Sequence, residues 1–322
     1  MTSEQLAGLR DALPPFPTAA ETVQGLSDYC QFYRLDFTAG YPGCEHFAGT
    51  VASGPHRLAV HRWQLPDATA TLLLVHGYYD HTGLYGKLVE YGLSRGFNVL
   101  IFDLPGHGLS SGEPAAIDEF TAYGRSIASV VSQASTAGEP LWAMAQSTGC
   151  AALVEFAQIH PWPFAATVLL APLVRPVSWM KVRLGHMLLR HFTDTLRREF
   201  NENSSDREFL AFIQADPLQA RHISMRWVGA LRRWLKSLPE GNLGVGQALV
   251  VQGDTDGTVD WRYNINVIIG LFPDSRVEYV AGAGHQLANE SHSLRQHYFH
   301  GIDDYLRGQG LELSLRDNNP PS

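Results

Sequence analysis

The sequence predicts an α/β fold, with a mostly parallel central sheet flanked by helices and an inserted helical cap. Two features of the 322 residues support this prediction. Short apolar runs of strand length alternate with amphipathic segments of helix length, a pattern typical of a parallel sheet covered on both faces. One long stretch between two predicted strands has helical patterning and no strand signal, which indicates a helical insertion.

The predicted strands and helices follow one another in regular order. Strands are predicted at residues 57–65, 69–75, 98–102, 140–145, 165–170, 248–252 and 276–280. Helices are predicted between most of them, at residues 85–95, 117–133, 148–158, 261–271 and 291–307. Residues 46–51 and 57–65 have no helix between them, so these two runs predict an antiparallel hairpin at the start of the sheet.

This pattern divides the chain into four parts. Residues 1–45 form an N-terminal extension with a short helix predicted at 23–33, residues 46–173 and 246–310 form the core, residues 174–245 form the cap, and residues 311–322 form a tail that we expect to be flexible. The cap contains 12 of the 24 Lys and Arg residues against 7 acidic residues, a local charge of +5 in a chain whose net charge is −8.

The composition and the N-terminal sequence restrict the class of protein that we expect. A net charge of −8 argues against a nucleic-acid partner, which requires a basic surface. No run of apolar residues is long enough to predict a transmembrane helix, and the N-terminus lacks the charged and apolar regions of a secretory signal. We therefore expect a cytoplasmic protein whose cysteines are free thiols. The basic cap can bring this protein into peripheral contact with a membrane.

The strongest local signal for chemistry is the segment LWAMAQSTG at residues 141–149. A short apolar strand runs into Ser147 and a helix-forming stretch follows at once, which is the context of a nucleophile elbow. Such a turn needs small residues two positions before and after the serine. Gly149 and Ala145 meet this need, although Ala145 replaces the usual glycine. The alternative interpretation is an ordinary serine that caps the helix.

A second segment, LVHGYYDHTG at residues 74–83, ends another buried strand. Acyl transfer requires backbone N–H groups that point at the developing oxyanion. After a strand that ends in His-Gly, the N–H of Tyr78 can lie beside the nucleophile, with the N–H of Thr148 as its partner. The alternatives are a plain turn or a metal cluster of His76, Asp80 and His81, for which no further ligand lies at suitable spacing.

The base and the acid are predicted at two further strand ends. His285 follows the strand at 276–280 in a glycine-rich loop, and Asp256 follows the strand at 248–252. Asp254 and Asp260 are competing acids, but Asp256 has the favoured position. The order Ser147, Asp256, His285, each at the carboxyl end of a predicted strand, is the order of a catalytic triad on such a sheet.

Residues 46–308 resemble the monoacylglycerol lipase and lysophospholipase branch of the α/β-hydrolases, which is related to the serine aminopeptidase families. The motifs that carry the resemblance are HG at 76–77, DLPGHGLSSG at 103–112, STG at 147–149, GDTD at 253–256, GH at 284–285 and, within the cap, DPL at 216–218. The resemblance implies a catalytic triad, an oxyanion pair from Tyr78 and Thr148, and a mobile cap over an acyl pocket. The chain departs from that branch at Ala145, at Gln146 in place of a common histidine, and at Asp80 in place of a usual glutamate.

The predicted function is hydrolysis of carboxylic esters through an acyl-enzyme, without a metal or an organic cofactor. The expected substrate is a small acyl ester or lipid, in particular a monoacylglycerol or a lysophospholipid. Peptidase, thioesterase and acyltransferase activity on the same triad remain alternatives, as does a binding module without catalysis. The large apolar side chains of the cap either line an acyl pocket or pack on the core, and its basic residues either meet an anionic membrane or are solvated.

Overall fold

The computed structural model describes residues 1–133 and 139–316. Its strands are β1 (Thr18–Ala19), β2 (Glu45–Ser53), β3 (His56–Gln64), β4 (Ala70–Val75), β5 (Phe97–Phe102), β6 (Leu141–Gln146), β7 (Phe164–Leu170), β8 (Thr195–Arg197), β9 (His222–Ser224), β10 (Leu249–Gly253) and β11 (Arg276–Val280). Its helices are α1 (Ser3–Ala12), α2 (Leu26–Tyr33), α3 (Gly86–Ser94), α4 (Thr121–Val131), α5 (Thr148–Ile159), α6 (Trp179–Leu189), α7 (Arg207–Ala215), α8 (Met225–Ser237), α9 (Trp261–Leu271) and α10 (His292–Gly308).

One large sheet has the strand order β1-β2-β3-β5-β4-β6-β7-β10-β11. From β5 to β11 the neighbouring strands are parallel, whereas β1, β2 and β3 pair antiparallel and β3 is antiparallel to β5. The predicted α/β fold with a mostly parallel sheet is therefore confirmed. The predicted hairpin is β2 and β3, whose register runs from Glu45 opposite Gln64 to Ser53 opposite His56.

The central strands are covered on both faces. Every residue of β4 and of β5 is buried, which is why these strands have continuous apolar runs in place of an alternating pattern. Helices α4, α5 and α9 contribute to the apolar cluster on one face, and α1, α2, α3 and α10 contribute to the cluster on the other. Because the strands from β5 to β11 are parallel, their carboxyl ends lie at one edge of the sheet. Functional loops lie at this edge in open α/β folds.

Between β7 and β10 the chain leaves the large sheet. This inserted segment contains α6, α7 and α8, together with a short antiparallel pair formed by β8 and β9. No sequence pattern predicts that pair, because three residues per strand are too few to establish a period of two. Helices α7 and α8 begin where the side chains of Asp206 and Ser224 accept the backbone N–H groups of Phe209 and Trp227.

The N-terminal extension is packed against the rest of the molecule. Helix α1 begins with a capping box, in which the side chains and backbone N–H groups of Thr2 and Gln5 bond reciprocally. Strand β1 adds to the edge of the sheet beside β2, and α2 buries Tyr29 and Tyr33. The extension therefore contributes to the apolar core as well as to the sheet.

The first part of the C-terminal tail, residues 311–316, contacts the core. Leu311 is buried, and the backbone N–H groups of Ser314 and Arg316 donate to the carbonyl oxygens of Arg95 and Ser94. These bonds and the burial of Leu311 fix residues 311–316. Residues 317–322 of the predicted tail lie outside the described part of the chain.

Residues 1–133 and 139–316 include no helix with both the length and the apolar character needed to cross a membrane. The longest helix is α10, and it contains several charged residues along its 17 positions. Cys30, Cys44 and Cys150 are all buried free thiols.

Candidate active site

The turn between β6 and α5 holds Ser147 in a sharply bent backbone. Ser147 has φ of +52° and ψ of −112°, a conformation that residues with a Cβ rarely adopt. A Cβ on Gly149 would collide with the carbonyl oxygens of Val75 and His76, so β4 passes too close for any residue but glycine. Ala145 lies on β6 with its methyl group packed in the core. The turn therefore has the geometry of a nucleophile elbow, with Ala145 accommodated.

A chain of two hydrogen bonds joins Ser147, His285 and Asp256. The Ser147 Oγ lies 2.9 Å from the His285 Nε2, and the His285 Nδ1 lies 2.7 Å from the Asp256 Oδ2. All three residues are buried. When Nδ1 donates to the carboxylate, Nε2 is left to accept the serine proton, which is the arrangement that nucleophilic catalysis by serine requires. The structure thus brings the predicted nucleophile, base and acid into one connected group.

The carboxylate of Asp256 is surrounded by donors. Its Oδ1 accepts the N–H groups of Thr258 at 2.8 Å and Val259 at 3.2 Å, and its Oδ2 accepts Gln252 Nε2 at 3.1 Å. Burial by itself would raise the pKa of Asp256, but the nearby His285 and these backbone donors together hold that pKa below its usual value. An ionised acid is therefore stable at this buried position.

The two competing acids have other partners. The Oδ1 of Asp254 accepts the N–H of Gly282 at 2.7 Å, which closes the turn next to β11. Asp260 forms an ion pair with Arg175 at 2.6 Å. Of the three candidate carboxylates, Asp256 is the one whose side chain bonds to His285.

The backbone N–H groups of Tyr78 and Thr148 are unpaired donors in the described part of the chain, as an oxyanion site requires. Neither donates to an acceptor within residues 1–133 and 139–316. Thr148 directly follows Ser147, and a Cβ on Gly77, the residue before Tyr78, would lie 3.4 Å from the Cβ of Ser147. Both N–H groups thus belong to backbone next to Ser147, a position compatible with stabilising charge on a carbonyl oxygen.

The inserted segment holds the loop of Tyr78 and Tyr79 through contacts that sequence patterns do not reveal. The ring of Trp227 stacks on that of Tyr78, with centroids 3.9 Å apart. The Arg198 guanidinium lies 3.9 Å over the ring of Tyr79 and donates to Gln219 Oε1 at 2.8 Å, while Gln219 Nε2 donates to the Tyr79 carbonyl at 3.0 Å. The Tyr79 backbone has φ of +72°. These contacts hold a strained loop in place.

Gln146, one of the departures from the related branch, fixes the loop of His285. Its Nε2 donates to the carbonyl of His285 at 2.8 Å, and its Oε1 accepts the N–H of Ala288 at 3.3 Å. Gln146 is fully buried, and both ends of its amide are hydrogen-bonded to this one loop. The side chain next to Ser147 therefore fixes the loop of His285, a contact that its place in the sequence does not predict.

Glu290 is a second anchor of that loop that sequence reasoning missed. It is fully buried, and its Oε1 accepts the N–H of Gly284, the residue before His285, at 2.6 Å. Its Oε2 accepts the N–H of Ser205 in the inserted segment at 2.8 Å and bonds the Ser205 hydroxyl as well. One carboxylate thus links the inserted segment to the loop of His285.

The possible metal ligands His76, Asp80 and His81 have separate partners. The His76 Nε2 accepts the N–H of Leu104 at 2.9 Å, and burial lowers the pKa of His76 to about 3. Asp80 accepts Gln286 Nε2 at 2.9 Å. Throughout the described ranges, no three or more His, Cys, Asp and Glu side chains are grouped to hold a metal ion.

His81 instead forms a buried hydrogen bond with Asp216 of the inserted segment. The His81 Nε2 lies 2.8 Å from the Asp216 Oδ2, and neither side chain is exposed. Burial opposes a charge on His81, but Asp216 outweighs it and raises the pKa of His81 above its usual value. Tyr33, from the N-terminal extension, donates to Asp216 Oδ1 at 2.7 Å. This group joins the extension, the loop after β4 and the inserted segment.

Known proteins with similar sequences or structures include several lipases. The chain is 25% identical to the human monoglyceride lipase over 263 residues, which cover 76% of this chain and 85% of that protein. It is 22% identical to phospholipase YtpA of Bacillus subtilis over 241 residues, 71% of this chain and 92% of that protein. The crystal structure of the Paleococcus ferrophilus monoacylglycerol lipase superposes with a TM-score of 0.66 at 21% identity, covering 78% of this chain and 99% of that chain.

A soluble variant of the Saccharomyces cerevisiae monoglyceride lipase, solved with a substrate analog, has the same fold. Its TM-score is 0.69 at 17% identity, with 81% of this chain and 94% of that chain covered. The family model for the serine aminopeptidases, S33, matches residues 66–292, a range that includes the elbow, the loop of Tyr78, Asp256 and His285. The chain therefore belongs to the serine aminopeptidase S33 family and has the α/β-hydrolase fold.

Proposed function

We propose that the protein hydrolyses carboxylic esters through an acyl-enzyme, with Ser147 as nucleophile, His285 as base and Asp256 as the acid that orients the base. The observation that carries this proposal is the pair of hydrogen bonds from Ser147 Oγ to His285 Nε2 at 2.9 Å and from His285 Nδ1 to Asp256 Oδ2 at 2.7 Å. The bent backbone at Ser147 and the unpaired N–H groups of Tyr78 and Thr148 support it.

The reaction proceeds in two halves. The His285 Nε2 takes the Ser147 proton as Oγ attacks the ester carbonyl, and the N–H groups of Tyr78 and Thr148 stabilise the resulting oxyanion. The intermediate collapses to the acyl-serine, and the leaving alkoxide takes the proton from Nε2 to depart as the alcohol. Water then gives a proton to Nε2 and attacks the acyl carbonyl, and a second collapse releases the carboxylic acid and restores the Ser147 hydroxyl.

We propose a single-chain acyl lipid, a monoacylglycerol or a lysophospholipid, as the substrate. The name of the human relative, a monoglyceride lipase, supports this class, and the name of the Bacillus subtilis relative, a phospholipase, supports a lipid ester. The large apolar residues of the inserted segment divide into two groups: Trp227, Leu231 and Trp234 of α8 are buried, whereas Met180 and Phe192, in and just after α6, are 70% and 86% exposed. Tyr78 stacks on Trp227, so the buried group lies beside the proposed oxyanion loop.

The exposed group supports a contact with a lipid surface. The exposed fraction of Leu184, Met187 and Leu188 in α6 is at least half, and Lys181 and Arg183 on the same helix are also exposed. A helix with exposed apolar side chains and cations can enter the head-group region of an anionic bilayer. We therefore propose that α6 brings the protein into peripheral contact with the membrane that contains its substrate.

A peptidase is the second candidate, because the matching family model is described as a serine aminopeptidase. A panel of p-nitrophenyl esters, monoacylglycerols, lysophospholipids and aminoacyl amides tests the choice. We expect the highest kcat/KM on a monoacyl lipid and no turnover of the amides. Faster hydrolysis of an aminoacyl amide would contradict the proposed substrate class, and no turnover of any ester would contradict the proposed function.

A further inference from the structure

A buried carboxylate lies between the loop of Tyr78 and the loop of His285. Asp80 is 3% exposed, and none of the ion pairs within residues 1–133 and 139–316 involves it. Burial raises the pKa of Asp80 above its usual value, and the hydrogen bonds and positive charges around it only partly oppose this. A buried charge without an ion pair destabilises a fold. The stability of the fold therefore does not explain a carboxylate at this position.

One oxygen of this carboxylate is connected to the loop of Tyr78. The Asp80 Oδ2 accepts the Tyr85 hydroxyl at 3.1 Å, and the Tyr85 oxygen accepts the N–H of Gly77 at 3.0 Å. A tyrosine hydroxyl has one hydrogen, so its donation to Asp80 leaves the lone pairs of Tyr85 for Gly77. Because Gly77 directly precedes Tyr78, these two bonds hold the backbone next to the proposed oxyanion donor.

The other oxygen is connected to the loop of His285. The Asp80 Oδ1 accepts the Gln286 Nε2 at 2.9 Å, and Gln286 directly follows His285 in the chain. Both partners are buried, so this hydrogen bond lies in a medium of low dielectric, where it is stronger than in water. Three hydrogen bonds in series thus join the neighbour of Tyr78 to the neighbour of His285, with Asp80 in the middle.

The carboxylate also lies close to the proposed nucleophile. A Cβ on Gly77 would lie 2.8 Å from the Asp80 Oδ2 and 3.4 Å from the Ser147 Cβ. A side chain at position 77 would therefore have to displace the carboxylate, and the glycine allows this close approach. A shift of Asp80 would act on backbone that is itself next to Ser147.

We propose that Asp80 is a positioning residue for the hydrolysis at Ser147. Its carboxylate holds the loop of Tyr78 and the loop of His285 at a fixed separation, so that the Tyr78 N–H and the His285 Nε2 act on the same ester group. Both loops must be in place at once, because charge develops on the carbonyl oxygen as the serine proton moves to the base. The proposal rests on the proposed function and adds to it a residue that acts through its hydrogen bonds to these loops.

Asp80→Asn is the first test, because the amide keeps the shape of the side chain but has one acceptor oxygen in place of two. Either Tyr85 or Gln286 then loses its acceptor. We expect kcat on p-nitrophenyl butyrate to fall by about tenfold to 10²-fold, since small displacements of catalytic groups are costly, with KM unchanged. An unchanged kcat, or a rise in KM alone, would overturn the proposal.

A double-mutant cycle tests the link without altering the carboxylate, and it serves equally if Asp80→Asn does not fold. Tyr85→Phe and Gln286→Leu each break the series of bonds on one side of Asp80, so each should lower kcat. Because one break already releases the two loops from each other, the double variant should lose much less than the product of the two single losses. Losses that multiply would show that the two residues act independently, and this would overturn the proposal.

Tyr91→Phe is the matched control. Tyr91 is a buried tyrosine whose hydroxyl donates to a carboxylate oxygen, the Asp303 Oδ1, at 2.7 Å, but Asp303 lies on α10 and forms an ion pair with Arg95. The control should retain the kcat of the wild type. A loss equal to that in Tyr85→Phe would indicate a general effect of packing and would contradict the role of Asp80.

Hydrogen exchange separates this proposal from the proposed function. Asp80→Asn should speed amide exchange in both residues 76–79 and residues 284–288, whereas Tyr91→Phe should not change it. Faster exchange in only one of these segments, or in neither, would overturn the link through Asp80. A wild type that hydrolyses no ester and does not react with a fluorophosphonate would contradict the proposed function, and the exchange result would still decide whether Asp80 joins the two loops.

Discussion

At the scale of single residues, the proposed site depends on how each charge and donor is satisfied. The ionised Asp256 is stabilised by the N–H groups of Thr258 and Val259 as well as by His285. It holds the His285 tautomer whose Nε2 can accept the proton of Ser147. Gln146 bonds the carbonyl of His285, so this residue is held both at its ring and at its backbone.

Asp256→Asn should lower kcat by about 10⁴-fold, because an amide at this position favours the wrong tautomer of His285 and does not stabilise the imidazolium. The measurement is kcat on a p-nitrophenyl ester, on protein with an unchanged melting curve. Asp254→Asn and Asp260→Asn are the controls and should retain most of the activity, since their partners are Gly282 and Arg175. A greater loss in Asp254→Asn would move the acid to that residue.

Gln146→Leu should lower kcat by about tenfold to 10²-fold, because small displacements of a catalytic group are costly. KM for a short soluble ester should change little, since Gln146 bonds the loop of His285 and not the substrate. The rate of fluorophosphonate labelling should fall in parallel with kcat. Gln158→Leu is the control, because Gln158 lies near the C-terminal end of α5, is only partly buried and bonds Glu155 of the same helix. A change in KM alone would contradict a positioning role.

At the scale of elements, the inserted segment contacts both loops that carry the proposed chemistry. Arg198 and Gln219 hold Tyr79, Trp227 stacks on Tyr78, and Ser205 shares Glu290 with the loop of His285. Sequence reasoning could locate Ser147, Asp256 and His285, because each follows a strand whose apolar run is visible. It could not locate these contacts, because their partners are far apart in the chain and no local periodicity encodes them.

Reversing the charges of α6 should affect hydrolysis of lipid in membranes and spare soluble esters. Lys181 and Arg183 of α6 and Arg190, which directly follows the helix, are suitable positions for change to Glu, because they are exposed, whereas Arg232 bonds His186. Each cation near an anionic surface contributes about 1 kcal/mol, and salt screens that attraction. The triple variant should therefore bind anionic vesicles less tightly at low salt, as measured by sedimentation. Equal binding of variant and wild type would leave α6 as an ordinary solvated surface.

The pair of His81 and Asp216 should make stability depend on pH. Because the pKa of His81 is raised in the folded protein, its contribution is fully present below the unfolded value of about 6.5 and is lost as the pH rises through the folded pKa. The difference in the free energy of unfolding between wild type and His81→Gln should thus shrink as the pH rises above neutrality. Urea denaturation at several pH values measures this difference, and a constant difference would contradict a raised pKa of His81 in the folded protein.

At the scale of the whole molecule, the parallel sheet determines where the site forms. Strands β6, β10 and β11 end at the same edge, and the residues that follow them include Ser147, Asp256 and His285. The alternation of apolar runs and helices sufficed to predict that arrangement. The packing of residues 1–45 and 311–316 was not predicted, because their contacts, such as Tyr33 with Asp216, depend on the finished fold.

The central claim is that Ser147 forms an acyl-enzyme. The most direct measurement is mass spectrometry of the intact protein, quenched in acid shortly after mixing with excess p-nitrophenyl ester, followed by peptide mapping. We predict a mass increase of one acyl group, located on the peptide that contains Ser147 and absent in Ser147→Ala, together with a burst of one equivalent of p-nitrophenol. An acyl group on another residue, or steady hydrolysis by Ser147→Ala at the wild-type rate, would contradict the account.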